Sequence, residues 1–290
     1  MNASSLPATV WKGGEFRWGI KTYVMAIINA TPDSFSGDGI AGNPMLAGDL
    51  AAAAVANGAD LIDIGAESTR PGHRPLDEQD ELVRLMPVLE AVASRVSVPI
   101  SVDTSKATVA DAALRAGASM VNDVRGFTKD PELASVVAAH EVPAVVTHDL
   151  PPDGHDDLVV SIVAELNRRL DRAVAAGIAW ERLIIDPGFG FGKDWRQNLE
   201  LLRRLEELRI LGRPILAGTS RKGTIGRVLG LVEQDRVEGT AATVALAIVG
   251  GADMVRVHDV QAMARVARMT DAVIRGLPAE PQVSSGVVGQ

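Results

Sequence analysis

Eight short β-rich runs separated by helical stretches constrain this chain of 290 residues more than any other feature. They are VMAII from Val24, LIDIG from Leu61, PISVD from Pro99, SMVND from Ser119, PAVVT from Pro143, LIIDPG from Leu183, PILAG from Pro214 and MVRVH from Met254. Between them lie Ala-rich segments with apolar positions at helical spacing, such as LAGDLAAAAVANG from Leu46 and IVAELNRRLDRAVAAG from Ile162, each closed by a Gly stop signal. Strands alternating with helices make a parallel sheet, and eight of them closed on themselves make an α/β fold of the (β/α)8 TIM-barrel type, usually about 250 residues long. The competing architecture, a doubly wound open sheet, calls for G-x-G-x-x-G after the first strand. The segment NATPDSFSGDG after the first run lacks it. The chain therefore reads as a single barrel domain over residues 21–276, with a loose lead over 1–20 and a ragged tail over 277–290.

A hydrophobic content of 47% supports a large core and excludes disorder as the main state. The net charge of -8 argues against nucleic acid as the principal partner, because phosphate backbones need a concentrated basic surface; local basic pockets stay open. The lack of cysteine excludes disulfides, thiolate metal sites and a cysteine nucleophile, and fits a reducing cytosol. The N-terminal MNASSLPATVWKGGEFRWG has no apolar signal core, and no apolar run reaches membrane-spanning length, so a cytoplasmic protein with no membrane partner is expected.

Polar residues stand at the C-terminal end of almost every run: Asn29, Asp63 followed by ESTRPG, Asp103, Asn122 with Asp123, His148, Asp186, SRK, and Arg256 with His258. A single Asp there is commonly a helix cap or a turn residue. In a barrel, however, these ends converge on the face that carries active sites. Arg70, Arg221, Lys222, Arg256 and His258 read as cations, and Asp33, Asp63, Asp103, Asp123 and Asp186 as carboxylates. Cations gathered in an acidic protein point to a polyanion such as pyrophosphate, with Mg²⁺ held alongside by carboxylates or an amide. The remaining carboxylates suit a heterocycle with a guanidine-like edge. Two segments keep alternative readings. DPGFGFGK is a phosphate cradle or a tight turn through Gly188, Gly190 and Gly192, and THDLPPDGHDD offers His148, Asp149, His155 and Asp157 as metal ligands or as a solvated loop. Trp195 reads as packing or interface.

The ordered set NATPDSFSGDG, DIGAESTRPG, ISVDTSK, VNDVRG, IIDPGFGFGK, GTSRK and VRVHDV, from about Val24 to Asp259, closely resembles the dihydropteroate synthase family. That resemblance implies a transferase joining 6-hydroxymethyl-7,8-dihydropterin pyrophosphate to 4-aminobenzoate with Mg²⁺, in folate biosynthesis. It implies pterin contacts from Thr69, Asp103, Asn122, Asp186 and Lys222, and pyrophosphate contacts from Asn29, Arg70, Arg256 and His258, with Asn29 the metal ligand. Asp103, Asp186, Lys222 and Arg70 take the catalytic roles, and Pro71, Phe189, Arg221 and Gly223 form the aminobenzoate end. Thr31, Pro32, Asp33, Ser34, Phe35 and Ser36 form one lid loop, and Ser68 to Gly72 form another. The resemblance further implies a homodimer and sulfonamides as competitors. Two departures stand out. Thr147, His148 and Asp149 replace a common Met-His-Met, which would make a wall of the pterin slot more polar, and Gly223 replaces a usual Ser beside the aminobenzoate carboxylate. The rival readings are a non-catalytic pterin binder and a methyltetrahydrofolate-dependent corrinoid methyltransferase type of barrel. The retained polar set opposes the first. STRPG, SRK and RVHDV oppose the second, since methyl transfer has no pyrophosphate for them to bind.

Overall fold

The computed structural model describes residues 6–31, 43–67, 75–151 and 157–276. Strands β1 (Thr9–Trp11) and β2 (Gly14–Phe16) form an antiparallel hairpin. The barrel strands are β3 (Tyr23–Asn29), β4 (Leu61–Gly65), β5 (Ile100–Asp103), β6 (Met120–Asp123), β7 (Ala144–Thr147), β8 (Leu183–Asp186), β9 (Leu216–Ala217) and β10 (Met254–Val257). The helices are α1 (Pro44–Ala56), α2 (Glu78–Ala93), α3 (Ala107–Arg115), α4 (Leu133–His140), α5 (Leu158–Ala175), α6 (Trp195–Arg203), α7 (Gly223–Leu229), α8 (Val237–Val249) and α9 (Val260–Arg275). Each of the eight β-rich runs contains a strand of this sheet. The strands run parallel in the order β8-β7-β6-β5-β4-β3-β10-β9. An Ile185–Ile215 bridge closes the ring, with the N–H of Ile185 donating to the Pro214 carbonyl at 2.9 Å.

The strands are buried on both faces because helices cover the outside and side chains fill the inside. Outward residues such as Ile62, Ile64, Val102, Val121, Val146 and Ile185 pack with Leu85, Leu89, Leu166 and Leu170 of the helices. Inward residues at the lower end, including Met25, Leu61, Met120, Ile184, Leu216 and Met254, form a separate apolar cluster. Helix starts are set by side chains that satisfy the first free N–H groups. Asp77 caps α2, Asp157 caps α5, and Asp194 with Gln197 makes a reciprocal capping box on α6. Among the described residues no helix is long and apolar enough to cross a membrane.

The lead expected to be loose is ordered over residues 6–20. The hairpin brings Trp11, Phe16 and Trp18 onto Tyr23, with ring centroids 4.8–5.4 Å apart in tilted and edge-on pairs. These rings join the lower apolar cluster and stop the bottom of the barrel. Polar bonds hold the plug: Trp18 Nε1 donates to Thr9 Oγ1 at 3.0 Å, and Thr9 Oγ1 donates to the Glu181 carbonyl. The tail over 277–290 lies outside the described residues.

Candidate active site

Strand alternation places the chemistry. Asp63, Asp103, Asn122, Asp186 and Arg256 each follow by two positions an inward residue, namely Leu61, Ser101, Met120, Ile184 and Met254, so their side chains also face the barrel axis. Above the apolar floor they meet at a cavity of about 630 Å³ at the C-terminal strand ends. Asn29, Thr31, Asp103, Asn122, Asp186, Phe189, Arg221, Lys222, Gly223, Arg256 and His258 all line it. These eleven candidates are thus in one place. Pro32 to Ser36, and Thr69, Arg70 and Pro71, lie outside the described residues.

A buried ion-pair chain organises the centre. Arg256 donates from Nε to Asp63 Oδ2 at 2.6 Å and from Nη2 to Asp103 Oδ2 at 2.9 Å. Asn122 Nδ2 donates to the same Asp63 oxygen at 3.1 Å. Asp63 is fully buried, so it acts from beneath, orienting the arginine and the amide that reach the cavity. Among the described residues Arg256 Nη1 has no partner, which leaves one guanidinium edge for an anion. Burial pushes the Asp103 carboxyl up to about 8, with Arg256 opposing and Asp63 reinforcing the shift. Burial also raises Asp186, while its Oδ1 accepts from the N–H of Gly188 at 2.7 Å and Lys222 and Lys193 pull the other way. Lys222 Nζ lies 4.8 Å from the centre of the Phe191 ring.

Three expectations change at this level. His258 is not a cation: burial, reinforced by Arg256, Arg221 and Lys222, lowers its pKa to about 3. Ser220 Oγ accepts from the His258 backbone N–H at 3.2 Å and lies 3.0 Å from Nδ1. The neutral ring offers the site a hydrogen-bonding nitrogen rather than a charge. Asp123 is not a site carboxylate. Being next to Asn122 on the strand it points outward, and it accepts from the N–H groups of Arg125 at 2.9 Å and Phe127 at 2.6 Å to hold a turn. Nor is the slot wall made polar by the Thr147, His148 and Asp149 departure, because none of the three lines the cavity. Asp149 instead binds Arg169 at 2.8 Å and Arg125 at 3.1 Å.

The two open loop readings also resolve. In DPGFGFGK the three glycines have positive φ, and at Gly188 a Cβ would stand 1.9 Å from the His148 carbonyl. This is a tight turn, and the lysine ending it folds back onto the turn's carbonyls. In THDLPPDGHDD, Asp157 is a helix cap and His148 is bound to Lys193, while His155 lies outside the described residues. Among the described residues no three His, Cys, Asp or Glu side chains form a metal-holding group. Trp195, expected as packing, contributes to the cavity wall. Lys193 also lines the cavity, and the motifs had supplied no role for it.

A family model described as pterin binding enzyme matches residues 25–258. The chain belongs to the pterin binding enzyme family. The family span runs from the first barrel strand to the residue after the last, so it takes in every strand end described above. Among its curated relatives, a dihydropteroate synthase of Bacillus subtilis is 47% identical over 254 residues, covering 88% of this chain and 89% of the relative. A dihydropteroate synthase of Clostridium difficile, solved in the presence of pteroic acid, superposes with a TM-score of 0.86 at 46% identity, covering 90% of this chain and 99% of the other. A dihydropteroate synthase of Xanthomonas albilineans, solved with 4-aminobenzoic acid, gives 0.87 at 41% identity, covering 95% of this chain and 100% of the other. These members of the pterin-binding family share the barrel as well as the sequence.

Proposed function

We propose that this chain is a transferase that condenses 6-hydroxymethyl-7,8-dihydropterin pyrophosphate with 4-aminobenzoate, giving 7,8-dihydropteroate and pyrophosphate, as a dihydropteroate synthase in folate biosynthesis. The observation that carries it is a single cavity in which two buried carboxylates, an amide and a lysine stand with an arginine edge and a neutral histidine. Pterin-binding relatives at 41–47% identity with this barrel support the reading. Asp103, Asn122, Asp186 and Lys222 complement the N–H groups, carbonyl and nitrogens of the ring. As the CH₂–O bond breaks, the ionised form of Asp103 stabilises the positive charge spreading into the pterin, and Arg256 Nη1, with His258 beside it, receives the leaving pyrophosphate. The arylamine attacks as a neutral nucleophile at pH 7, and once the C–N bond has formed its proton leaves to water or to the released pyrophosphate, so no strong general base is needed.

For Mg²⁺ the donor set fits a hard cation loosely: Asn29, which lines the cavity, would supply its amide oxygen, and the other ligands would be phosphate oxygens and water. When bound, the ion neutralises charge on the pyrophosphate. Arg221, held bidentately by Asp259 at 3.0 and 2.6 Å, lines the cavity with Gly223, which supports a role for both at the aminobenzoate end. Sulfonamides, which copy the ring and amine, compete there. A homodimer fits the exposed apolar residues Val228 and Leu229 of α7 and Leu246 and Val249 of α8. A cytoplasmic location accords with the lack of cysteine.

The deciding assay supplies both substrates and Mg²⁺ and follows dihydropteroate and pyrophosphate, which should appear in equal amounts. Pterin binding without product would favour a non-catalytic binder. A second measurement addresses Gly223. A Cβ there would meet nothing within 4 Å, so Gly223→Ser is sterically free. A hydroxyl bond to an ionised acceptor is worth about 1.5–3 kcal/mol when buried, and this position is exposed, so the KM for 4-aminobenzoate should fall about three- to tenfold. If neither that KM nor a sulfonamide Ki moves by more than about twofold, the position does not tune the second-substrate end.

A further inference from the structure

Lys193 takes no part in the proposed chemistry, yet it is buried beside it. Its Nζ lies 2.9 Å from His148 Nδ1, 3.3 Å from the His148 carbonyl, 3.2 Å from the Gly188 carbonyl and 3.1 Å from the Phe191 carbonyl. An ammonium has three protons to share among these four acceptors, and loses one if it becomes an amine. The acceptors belong to two neighbouring strand ends: His148 follows β7, while Gly188 and Phe191 belong to the loop between β8 and α6. Asn198 holds the rest of that loop, accepting from the N–H of Gly190 at 2.8 Å and donating to the Lys193 carbonyl at 3.1 Å.

What the loop carries gives this clamp its meaning. Gly188 donates to Asp186, and Phe189 lines the cavity. Phe191 presents its ring to Lys222 Nζ, and at Gly190 the backbone comes so near Lys222 that a Cβ would stand 3.0 Å from its Cδ. Displacing the loop therefore displaces Asp186, Phe189 and Lys222 together.

We propose that Lys193 is a positioning residue for the pterin: clamped between His148 and the carbonyls of Gly188 and Phe191, it holds the β8–α6 loop where Asp186, Phe189 and Lys222 meet the heterocycle. This rests on reading the cavity as the pterin site. Charged and titratable groups face the ammonium from every side: Asp186 of β8, His148 and Asp149 after β7, Arg169 of α5, and Lys222 ahead of α7. Burial lowers Lys193 to about 8, with Asp186 and Asp149 opposing and Arg169 and Lys222 adding to the shift. His148, lowered to about 3 mainly by burial, stays neutral and accepting throughout. Pterin affinity should then decline as pH rises through 8. Stability should not follow it. With the folded pKa below the ordinary lysine value of about 10.4, the unfolded chain binds more protons between the two, so this titration raises stability across that window. A lysine serving only to stabilise the fold would produce no such divergence.

The test is calorimetric titration of the full chain with 6-hydroxymethyl-7,8-dihydropterin pyrophosphate on both sides of pH 8. Lys193→Met should weaken binding about ten- to hundredfold at neutral pH and reduce the decline above pH 8, in keeping with the cost of small displacements at a site. Lys193→Arg should not rescue it, because a planar fork does not fit a point-charge clamp. His148→Leu removes one acceptor and keeps the three carbonyls, so it should fold and lose affinity by a smaller factor. Should Lys193→Met fail to fold, the affinity of His148→Leu decides, because Asp103 titrates in the same range and shares the wild-type pH dependence. Folded variants binding within about twofold of wild type, with an unchanged pH dependence, overturn the proposal. If Asp186→Asn abolishes binding in that same experiment, the pterin site stands and only the clamp falls. A wild-type protein that does not bind the ligand overturns the reading of the cavity itself.

Discussion

Asp103→Asn should fold normally and turn over about a hundredfold or more slowly. The change keeps the size of the side chain and removes a carboxyl that can ionise against the developing pterin cation, and losing one preorganised electrostatic partner typically has an effect of that order. Single-turnover kinetics with both substrates, alongside circular dichroism, make the comparison. A variant retaining more than about a tenth of wild-type kcat would refute the electrostatic role. Stability provides an independent check. Because Asp103 is raised to about 8, the folded state holds its proton over a range in which the unfolded carboxyl, near 3.9, has released it. Its contribution is complete below the unfolded pKa and is lost as pH rises through 8, so the Asn variant should lose less stability over that window than wild type.

The largest effect on stability is expected from Asp63→Ala. Asp63 is fully buried and its Oδ2 serves both Arg256 Nε and Asn122 Nδ2. Truncating it leaves a partly buried guanidinium with one carboxylate fewer and a buried amide unpaired, and the loss should approach the lower end of the roughly 3–5 kcal/mol of a broken buried pair. Urea unfolding should show this as a lower midpoint. A loss below about 1 kcal/mol would mean that water or the neighbouring Asp103 takes over the arginine. Both predictions touch Arg256, so the double variant should depart from additivity.

The strands were legible because a buried parallel strand needs a compact apolar run, and eight such runs were present. The site was legible because alternation carries a polar residue two positions past an inward Leu, Met or Ile to the cavity. What escaped depended on burial or on distant partners. Asp123 differs from Asn122 only in parity, and His258 resembles a surface histidine until Arg256 and the cavity wall surround it. The role of Lys193 depends on carbonyls supplied by a turn that its own motif forms only in the fold. The aromatic residues of the lead look unattached in one dimension, since the surface that receives them is assembled from strands spread over the whole chain.

Ring closure makes the first barrel strand a neighbour of the last, with Met254 to Val257 paired to Tyr23 to Ala26. Thr22 donates to Asp271 on the final helix at 2.7 Å, across 249 positions. During synthesis, then, the N-terminal aromatic rings emerge long before the cavity floor they seal. Asp63 and Asp103 wait for an arginine made 193 and 153 residues later. A chain released short of β10 would expose unpaired edges on β3 and β9 and leave two inward carboxylates without their cation, so the burden of an incomplete product falls on solubility and clearance by proteolysis as well as on turnover.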